Sequence, residues 1–283
     1  MVLQAYAKIN LGLRIIERRP DGFHAIETIF HRISLADELT IEPTQRGISL
    51  SCTDPALPTD SGNLCWKAVA CLQQECGTDR GASIHLYKRI PSGAGLGGGS
   101  SDAASILRTL PALWDCEISP ERLNALGGSI GSDVPFFLQD SSAYAEGRGE
   151  QLTPFTLDVP YWILLVNPGI HVSTPWAYQE FSKKLSEGYR VPRGSLFSSA
   201  TRRMQPLTEA MKNDFEDVVF PAYPAIRTLK QTLLEVGASH ALMSGSGSSV
   251  FGLFENESAA LRARARFAER MFTSLTEPHF IPA

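Results

Sequence analysis

The five cysteines include no Cys-x-x-Cys pair and the six histidines no His-x-x-x-His, so the ligand spacings of a zinc site are missing. An odd cysteine count without paired spacing reads as free thiols in a reducing compartment, with Cys65, Cys71 and Cys76 on one expected helix. Long apolar runs are lacking too. The longest strongly apolar one, Tyr-Trp-Ile-Leu-Leu-Val at 161–166, has the length of a buried strand and not of a membrane span. There is no excess of basic charge: 26 Lys and Arg stand against 30 Asp and Glu, a net −4, which argues against non-specific binding to nucleic acid. Strand-like alternation begins within the first few residues where a leader peptide would show a charged and then an apolar block. No internal repeat or low-complexity tract is present. These absences set the expectation of a cytoplasmic protein with no membrane and no nucleic-acid partner.

What the chain does have is glycine, concentrated in one place. Residues 91–102 read Pro-Ser-Gly-Ala-Gly-Leu-Gly-Gly-Gly-Ser-Ser-Asp, with Gly93, Gly95, Gly97, Gly98 and Gly99 inside seven positions. A tight turn accounts for one or two of these glycines and poorly for five. Before the stretch, Ala82, Ile84, Leu86, Lys88 and Ile90 alternate onto one face, which predicts a strand over 82–90. After it, Ala103, Ile106, Leu107 and Leu110 recur at helical spacing, and Pro111 should end or kink that helix. Strand, glycine loop and helix start together make an anion site, because free N–H groups and the positive end of the helix dipole point into the loop.

The first segment alternates strictly. Ala7, Ile9, Leu11, Leu13 and Ile15 share one face, and Tyr6, Lys8, Asn10, Gly12 and Arg14 the other. Taken alone, Lys8 reads as a solvated strand lysine. Arg-Pro-Asp-Gly at 19–22 predicts a turn into a second strand at 23–30, and strands are also expected at 38–42 and 48–52. Asn63 is placed to cap a helix over 64–76, with Gly77 as its stop. Ser119 and Pro120 open another, expected to stop at Gly127 and Gly128. Further along, 161–166 predicts a strand, 174–185 a helix, 186–205 a mobile irregular stretch, 224–236 an amphipathic helix and 257–271 a last helix. Strands at 241–243 and 249–254 flank a second glycine/serine loop, Ser-Gly-Ser-Gly-Ser at 244–248. The pattern starts afresh after 154, giving two expected domains, 1–154 and 155–283.

Residues 93–98 formally match the dinucleotide-binding pattern G-x-G-x-x-G, yet that loop begins far into the chain and its helix leads to another helix rather than to a parallel strand. No Gly-Lys-Ser/Thr closes the loop, so it is not a P-loop in strict form, and the His-Arg-Asp and Asp-Phe-Gly signatures of protein kinases are absent.

Ala-Lys-Ile-Asn-Leu at 7–11, the glycine stretch at 91–102 and Ser-Gly-Ser-Gly-Ser at 244–248 resemble, in order and spacing, the three motifs of the GHMP kinases, the superfamily of galactokinase, homoserine kinase and mevalonate kinase. Within it, Arg-Pro-Asp-Gly-Phe-His at 19–24, Gly-Ser-Asp-Val-Pro-Phe at 131–136, Ala-Glu-Gly-Arg-Gly-Glu at 145–150 and Asn-Asp-Phe-Glu at 213–216 resemble the branch whose acceptor alcohol is cytidylated. The resemblance implies an α+β fold of two domains, a ribosomal-protein-like β/α N-terminal domain and a ferredoxin-like C-terminal one. It implies transfer of the γ-phosphoryl group of ATP, with Mg²⁺ bridging phosphate oxygens, to a hydroxyl of a small molecule.

By the same resemblance Asp133 is the general base and Lys8 keeps that carboxylate ionised and steadies the transferring group. Read alone, Asp133 is a cap or turn aspartate. Gly95, Leu96, Gly97, Gly98, Gly99, Ser100 and Ser101 would wrap the phosphates. Asn63, Lys88 and the start of the glycine stretch, Pro91 and Gly93, would lie by the adenine, which leaves the capping role of Asn63 open alongside. Asn10, Phe23, His24, Tyr178 and Ser246 would bind the acceptor, two rings sandwiching the pyrimidine while the histidine bonds its edge. Phe23 stands where the family often has tyrosine. The chain is expected to act as a monomer or weak homodimer. A kinase of a smaller alcohol, or a nucleotide sensor without catalysis, are the competing readings.

Overall fold

The computed structural model describes residues 1–187, 197–198, 203–204 and 211–282. The chain forms two compact units that are interleaved in sequence. One comprises Met1–Ala7, Leu35–Ser92 and Gly97–Asp140, and the other Lys8–Ser34, Gly93–Leu96 and Ser141–Ala283. Two long strands, β1 (Val2–Arg18) and β2 (His24–Thr44), run through both. The expected turn joins them: the Gly22 N–H donates to the Arg19 carbonyl and Gly22 takes φ +87°. The segments 23–30 and 38–42, expected as separate strands, are parts of one strand, whose intervening residues are largely buried.

In the first unit, the Glu38 to Thr44 part of β2 pairs antiparallel with β4 (Gly81–Tyr87), which pairs parallel with β3 (Ile48–Cys52). Helix α1 (Leu64–Cys76) starts at Asn63, whose Oδ1 accepts from the Cys65 N–H, and ends at Gly77 in the left-handed region, as its residues dictate. Helix α2 (Gly98–Leu113) packs beside α1 and does not break at Pro111. Proline there removes one N–H in the last turn, and Trp114 closes the helix by donating to the Leu110 and Pro111 carbonyls. Helix α3 (Pro120–Ile130) runs past Gly127, where the sequence predicts a stop. A Cβ at Gly127 would stand 3.0 Å from Leu138 Cδ1 and 3.1 Å from Val134 Cγ1, so this glycine serves close packing against the short helix α4 (Val134–Phe137). The reading of five free thiols is corrected as well: Cys76 and Cys116 form a disulfide, since the adjacent ends of α1 and α2 bring their Cα atoms to 6.0 Å. Cys52, Cys65 and Cys71 are free.

In the second unit, the Thr28 to Phe30 part of β2 pairs with β5 (Ser142–Glu146), and β5 with β6 (Gln151–Phe155), both antiparallel. A separate antiparallel sheet runs β10 (His240–Met243), β11 (Val250–Phe254), β7 (Trp162–Asn167), β12 (Phe272–Thr276). That order, with helices α5 (Thr174–Ser186), α6 (Glu216–Ala222) and α7 (Pro224–Glu235) between β7 and β10 and α8 (Glu257–Ala268) between β11 and β12, is the expected ferredoxin-like arrangement. Helix α7 buries Ile226, Leu229 and Leu233, one stripe at helical spacing, and joins Leu164, Phe181, Phe215, Phe254 and Phe267 in the core. The expected irregular stretch 186–205 lies largely outside the described residues; within it β8 (Phe197–Ser198) and β9 (Arg203–Met204) pair antiparallel.

On β2, His31 is buried with Nδ1 2.8 Å from Ser142 Oγ, and burial pushes its pKa down from 6.5 to about 4. Between those values the unfolded chain holds more protons than the folded one, so this stability is present above the ordinary histidine pKa and is lost as pH falls toward 4. Urea unfolding from pH 7 to pH 4.5 should show a decline to which His31 contributes up to about 3 kcal/mol. In His31→Gln the decline should be shallower by that share.

Candidate functional site

In the second unit β1 is buried on both faces, so Lys8 and Asn10 are not solvated: they are 4% and 1% exposed. The Lys8 ammonium donates to Asn10 Oδ1 at 2.7 Å and to the Gly95 carbonyl at 3.2 Å, and lies 5.0 Å from the centre of the Phe30 ring. Ser244 Oγ donates to the same Gly95 carbonyl at 2.9 Å and accepts from the Asn10 N–H at 3.3 Å. Asn10 Nδ2 donates to Thr28 Oγ1 at 2.7 Å, and the Thr28 hydroxyl donates to the Gly12 carbonyl at 2.6 Å. The first strand, the glycine stretch and the second glycine/serine loop therefore meet at one carbonyl oxygen.

The glycine stretch is built by alternation. Gly93, Gly95 and Gly97 take φ of +63°, +77° and +68°, while Ala94 and Leu96 between them are buried. At Gly95 the requirement is absolute, since a Cβ would stand 2.1 Å from the Ser244 carbonyl oxygen. Gly97 is the N-cap of α2 and Gly98 to Ser101 form its first turn, which leaves the anion-seeking end of the helix at Gly97. Ser100 is half-buried and Ser101 buried.

Also in the first unit, Lys88 lies beyond the end of β4 and its ammonium is turned inward. It pairs with Asp37 Oδ2 and, at 3.0 Å, with Asp102 Oδ2. Asp37 Oδ1 accepts from the Arg89 and Ile90 N–H groups at 2.6 and 2.8 Å. Asp133 stands at the start of α4 without capping it through its side chain. Gly131, two residues before, faces Ser100: a Cβ there would be 3.7 Å from Ser100 Oγ. Asn63 acts as the helix cap already described, and its Nδ2 donates to the Pro58 carbonyl at 2.8 Å. Pro91 is half-buried.

The aromatic group belongs to the second unit. His24 and Tyr178 are stacked, ring centres 4.8 Å apart and planes at 19°, and Tyr178 meets the edge of Phe215. His24 Nε2 is 2.7 Å from Ser182 Oγ, whose own proton goes to the Tyr178 carbonyl at 2.9 Å. Burial, with Arg18 adding to it, holds the His24 pKa below its ordinary value. Phe23 is exposed, with the Arg148 guanidinium 4.7 Å over its ring. Ser246 is buried, its Oγ 2.8 Å from Thr174 Oγ1.

Sequence reasoning noticed Asn-Asp-Phe-Glu at 213–216 and gave it no role. Asn213 Nδ2 donates to the Met243 and Gly245 carbonyls, both at 2.7 Å, and so grips the second loop on either side of Ser244. Asp214 Oδ2 accepts from the Ile15 N–H at 2.9 Å, tying the same segment to β1. Glu216 accepts from the Met243 N–H at 3.0 Å and from Lys230 at 2.6 Å; burial, opposed by Lys230, holds its pKa above the ordinary carboxylate value. Two adjacent polar residues ahead of an apolar helix were the only local signal. Asp37 gave none.

The GHMP kinases N terminal domain model matches residues 63–141 and the GHMP kinases C terminal model residues 196–272. The chain is 46% identical to the 4-diphosphocytidyl-2-C-methyl-D-erythritol kinase of Prosthecochloris aestuarii over 279 residues, covering 95% of this chain and 97% of that one. It is 44% identical to the kinase of the same name from Chlorobium phaeobacteroides, covering 98% and 97%. The crystal structure of a 4-(cytidine 5'-diphospho)-2C-methyl-D-erythritol kinase is similar over 98% of both chains, with a TM-score of 0.82 at 34% identity.

Gly95→Ala should lower the unfolding midpoint far more than Gly99→Ala, whose Cβ would find its nearest neighbour at 3.7 Å and whose φ is not left-handed. Asn213→Ala removes two donated bonds inside the protein and should cost about 2–4 kcal/mol in urea unfolding.

Proposed function

The chain belongs to the GHMP kinase family, and we propose that it transfers the γ-phosphoryl group of ATP to the 2-hydroxyl of 4-diphosphocytidyl-2-C-methyl-D-erythritol, giving the 2-phosphate and ADP. The observation that carries this is the likeness to kinases of that name along nearly the whole of both chains. The reaction belongs to the non-mevalonate route to isoprenoid precursors. We place it in the cytoplasm, with a small-molecule partner, no nucleic acid or membrane, and the protein as a monomer or weak homodimer. Among the described residues no helix is long and apolar enough to cross a membrane.

Asp133 takes the proton of the acceptor hydroxyl. The freed oxygen bonds to the γ-phosphorus as the bond from that phosphorus to the β–γ bridging oxygen breaks, and ADP leaves. Gly97 to Ser101 receive the phosphate chain at the start of α2 through N–H groups and the two serine hydroxyls, and Pro91, Gly93, Gly95 and Leu96 shape the approach. Lys8, already donating to Asn10 and Gly95, steadies the transferring group; its burial keeps that charge from being screened by water. Asn10 and Ser246 hold the acceptor. By the family pattern the adenine lies near Asn63 and Lys88. The Lys88 ammonium is engaged with two carboxylates, so its segment offers the base backbone groups, and Asn63 keeps one amide hydrogen to donate.

Mg²⁺ fits a phosphate site of this kind: it is a hard ion that keeps much of its water and would take phosphate oxygens as ligands, so it needs few protein groups. Bound there, it would neutralise charge on the phosphates.

At the cytidine end the hydrogen-bond chain sets the histidine tautomer. Ser182 donates to the Tyr178 carbonyl, so His24 Nε2 carries the hydrogen and donates to Ser182. Nδ1 is then an acceptor, which suits the exocyclic amino group of cytosine. Phe23 supplies a free ring face, and Tyr178, stacked on His24, fixes the plane of the imidazole.

Asp133→Asn should lower turnover by about 10²–10⁴-fold while ADP affinity stays within a few-fold, read by coupled ADP release and by calorimetry. Turnover close to that of the parent would remove Asp133 from the role of base. His24→Ala should raise KM for the cytidylated alcohol at least tenfold and leave KM for ATP unchanged, whereas a kinase of a smaller alcohol would not register the change.

A further inference from the structure

Beneath the start of α2 three ionisable side chains are shut away from water. Asp37, Lys88 and Asp102 have side chains 0%, 6% and 1% exposed. Two carboxylates share one ammonium, so with all three ionised the cluster carries an uncompensated negative charge in the interior, an arrangement that burial penalises. The two acids are not equally supported. Asp37 has three donors: Lys88 on one oxygen, and the Arg89 and Ile90 N–H groups on the other. Asp102 has one donor, Lys88 on Oδ2, and its Oδ1 is buried with no hydrogen-bond partner. The carboxylate with an orphaned oxygen is the one that gives way.

We propose that Asp102 is a proton acceptor coupled to the phosphate site, taking up a proton from solvent onto its carboxylate when the phosphate chain of a nucleotide settles at the start of α2. This rests on the placement of the phosphates given above. Asp102 lies in the second turn of the helix that begins at Gly98, about 6 Å along the axis from its first residue. Ionised, it opposes an incoming anion at that end of the helix; protonated, it does not. An anion arriving there favours the neutral carboxyl in turn, and by linkage the two effects are equal.

The surroundings leave Asp102 poised for this. Burial, and then the Asp37 carboxylate, push its pKa up to about 7 against the pull of Lys88. Burial works against the Lys88 ammonium, yet Asp102 and Asp37 hold its pKa above the ordinary value, so Lys88 stays charged. Cys65 of α1 and Cys52 of β3 also lie within electrostatic reach, and burial raises both thiols so that they remain neutral. Helices α3 and α4 contribute Glu121, Arg122 and Asp133 to this unit, and Arg122 is paired with Glu75. Uptake makes one O–H bond, at the oxygen that lacks a hydrogen-bond partner, as the bond to that proton in hydronium or in the protonated buffer breaks.

The test is calorimetry of Mg-ADP binding to the full chain at pH 7.5 in buffers of differing ionisation enthalpy, repeated from pH 6 to 9. The parent should take up roughly half a proton per nucleotide, and its affinity should weaken about three- to tenfold as pH rises through the neutral region. Asp102→Asn, a fixed mimic of the neutral carboxyl, should take up none of this fraction and bind at pH 8.5 several-fold more tightly than the parent. Nucleotide binding without proton uptake in the parent overturns the proposal and leaves the phosphate placement standing, even if the variant does not fold. Uptake that persists unchanged in Asp102→Asn also overturns it. Absence of nucleotide binding sinks the placement and the proposal together.

Discussion

The carbonyl oxygen of Gly95 accepts from the Lys8 ammonium and from the Ser244 hydroxyl, and the chemistry of the second unit depends on this double acceptance. A lysine buried in a sheet is unfavourable unless its charge is met. Here a backbone dipole, the Asn10 amide oxygen and the face of Phe30 are among the groups that meet it. The carbonyl can face both donors only because Gly95 occupies a backbone region closed to other residues, with Ser244 pressed against the space a side chain would fill.

The first unit also buries a lysine. Lys88 is engaged by Asp37 and Asp102, so its charge is met by two carboxylates beneath the helix start. Strand periodicity placed both lysines on sheet faces and could not tell them apart.

What was legible in the sequence was local. Asn63 and Gly77 announce the ends of α1, Ser119 and Pro120 the start of α3, and the alternation after Ala5 the first strand, because each depends on neighbours a few residues away. Lys8, Asn10, Gly95 and Ser244 could be named through the family pattern, and the structure brings them together. What could not be read depends on contacts distant in sequence. Gly127 looks like a helix stop until Leu138 and Val134 are seen against it. Cys76 and Cys116 are unremarkable until two helix ends meet. Asn213 and Asp214 look like a polar loop, yet they clamp the carbonyls around Ser244 and the edge of β1.

The interleaving of the two units also bears on how the protein is made. Asn10 finds its partner in Ser244, 234 residues later in the chain. At a synthesis rate of about 5–20 residues per second, β1 leaves the ribosome roughly 10–50 seconds before that partner exists. β1 can pair with β2 soon after both emerge, yet the bond that Asn10 makes with Ser244 waits for almost the whole chain. The two units, interleaved in sequence, cannot mature one after the other as the beads of a modular protein do.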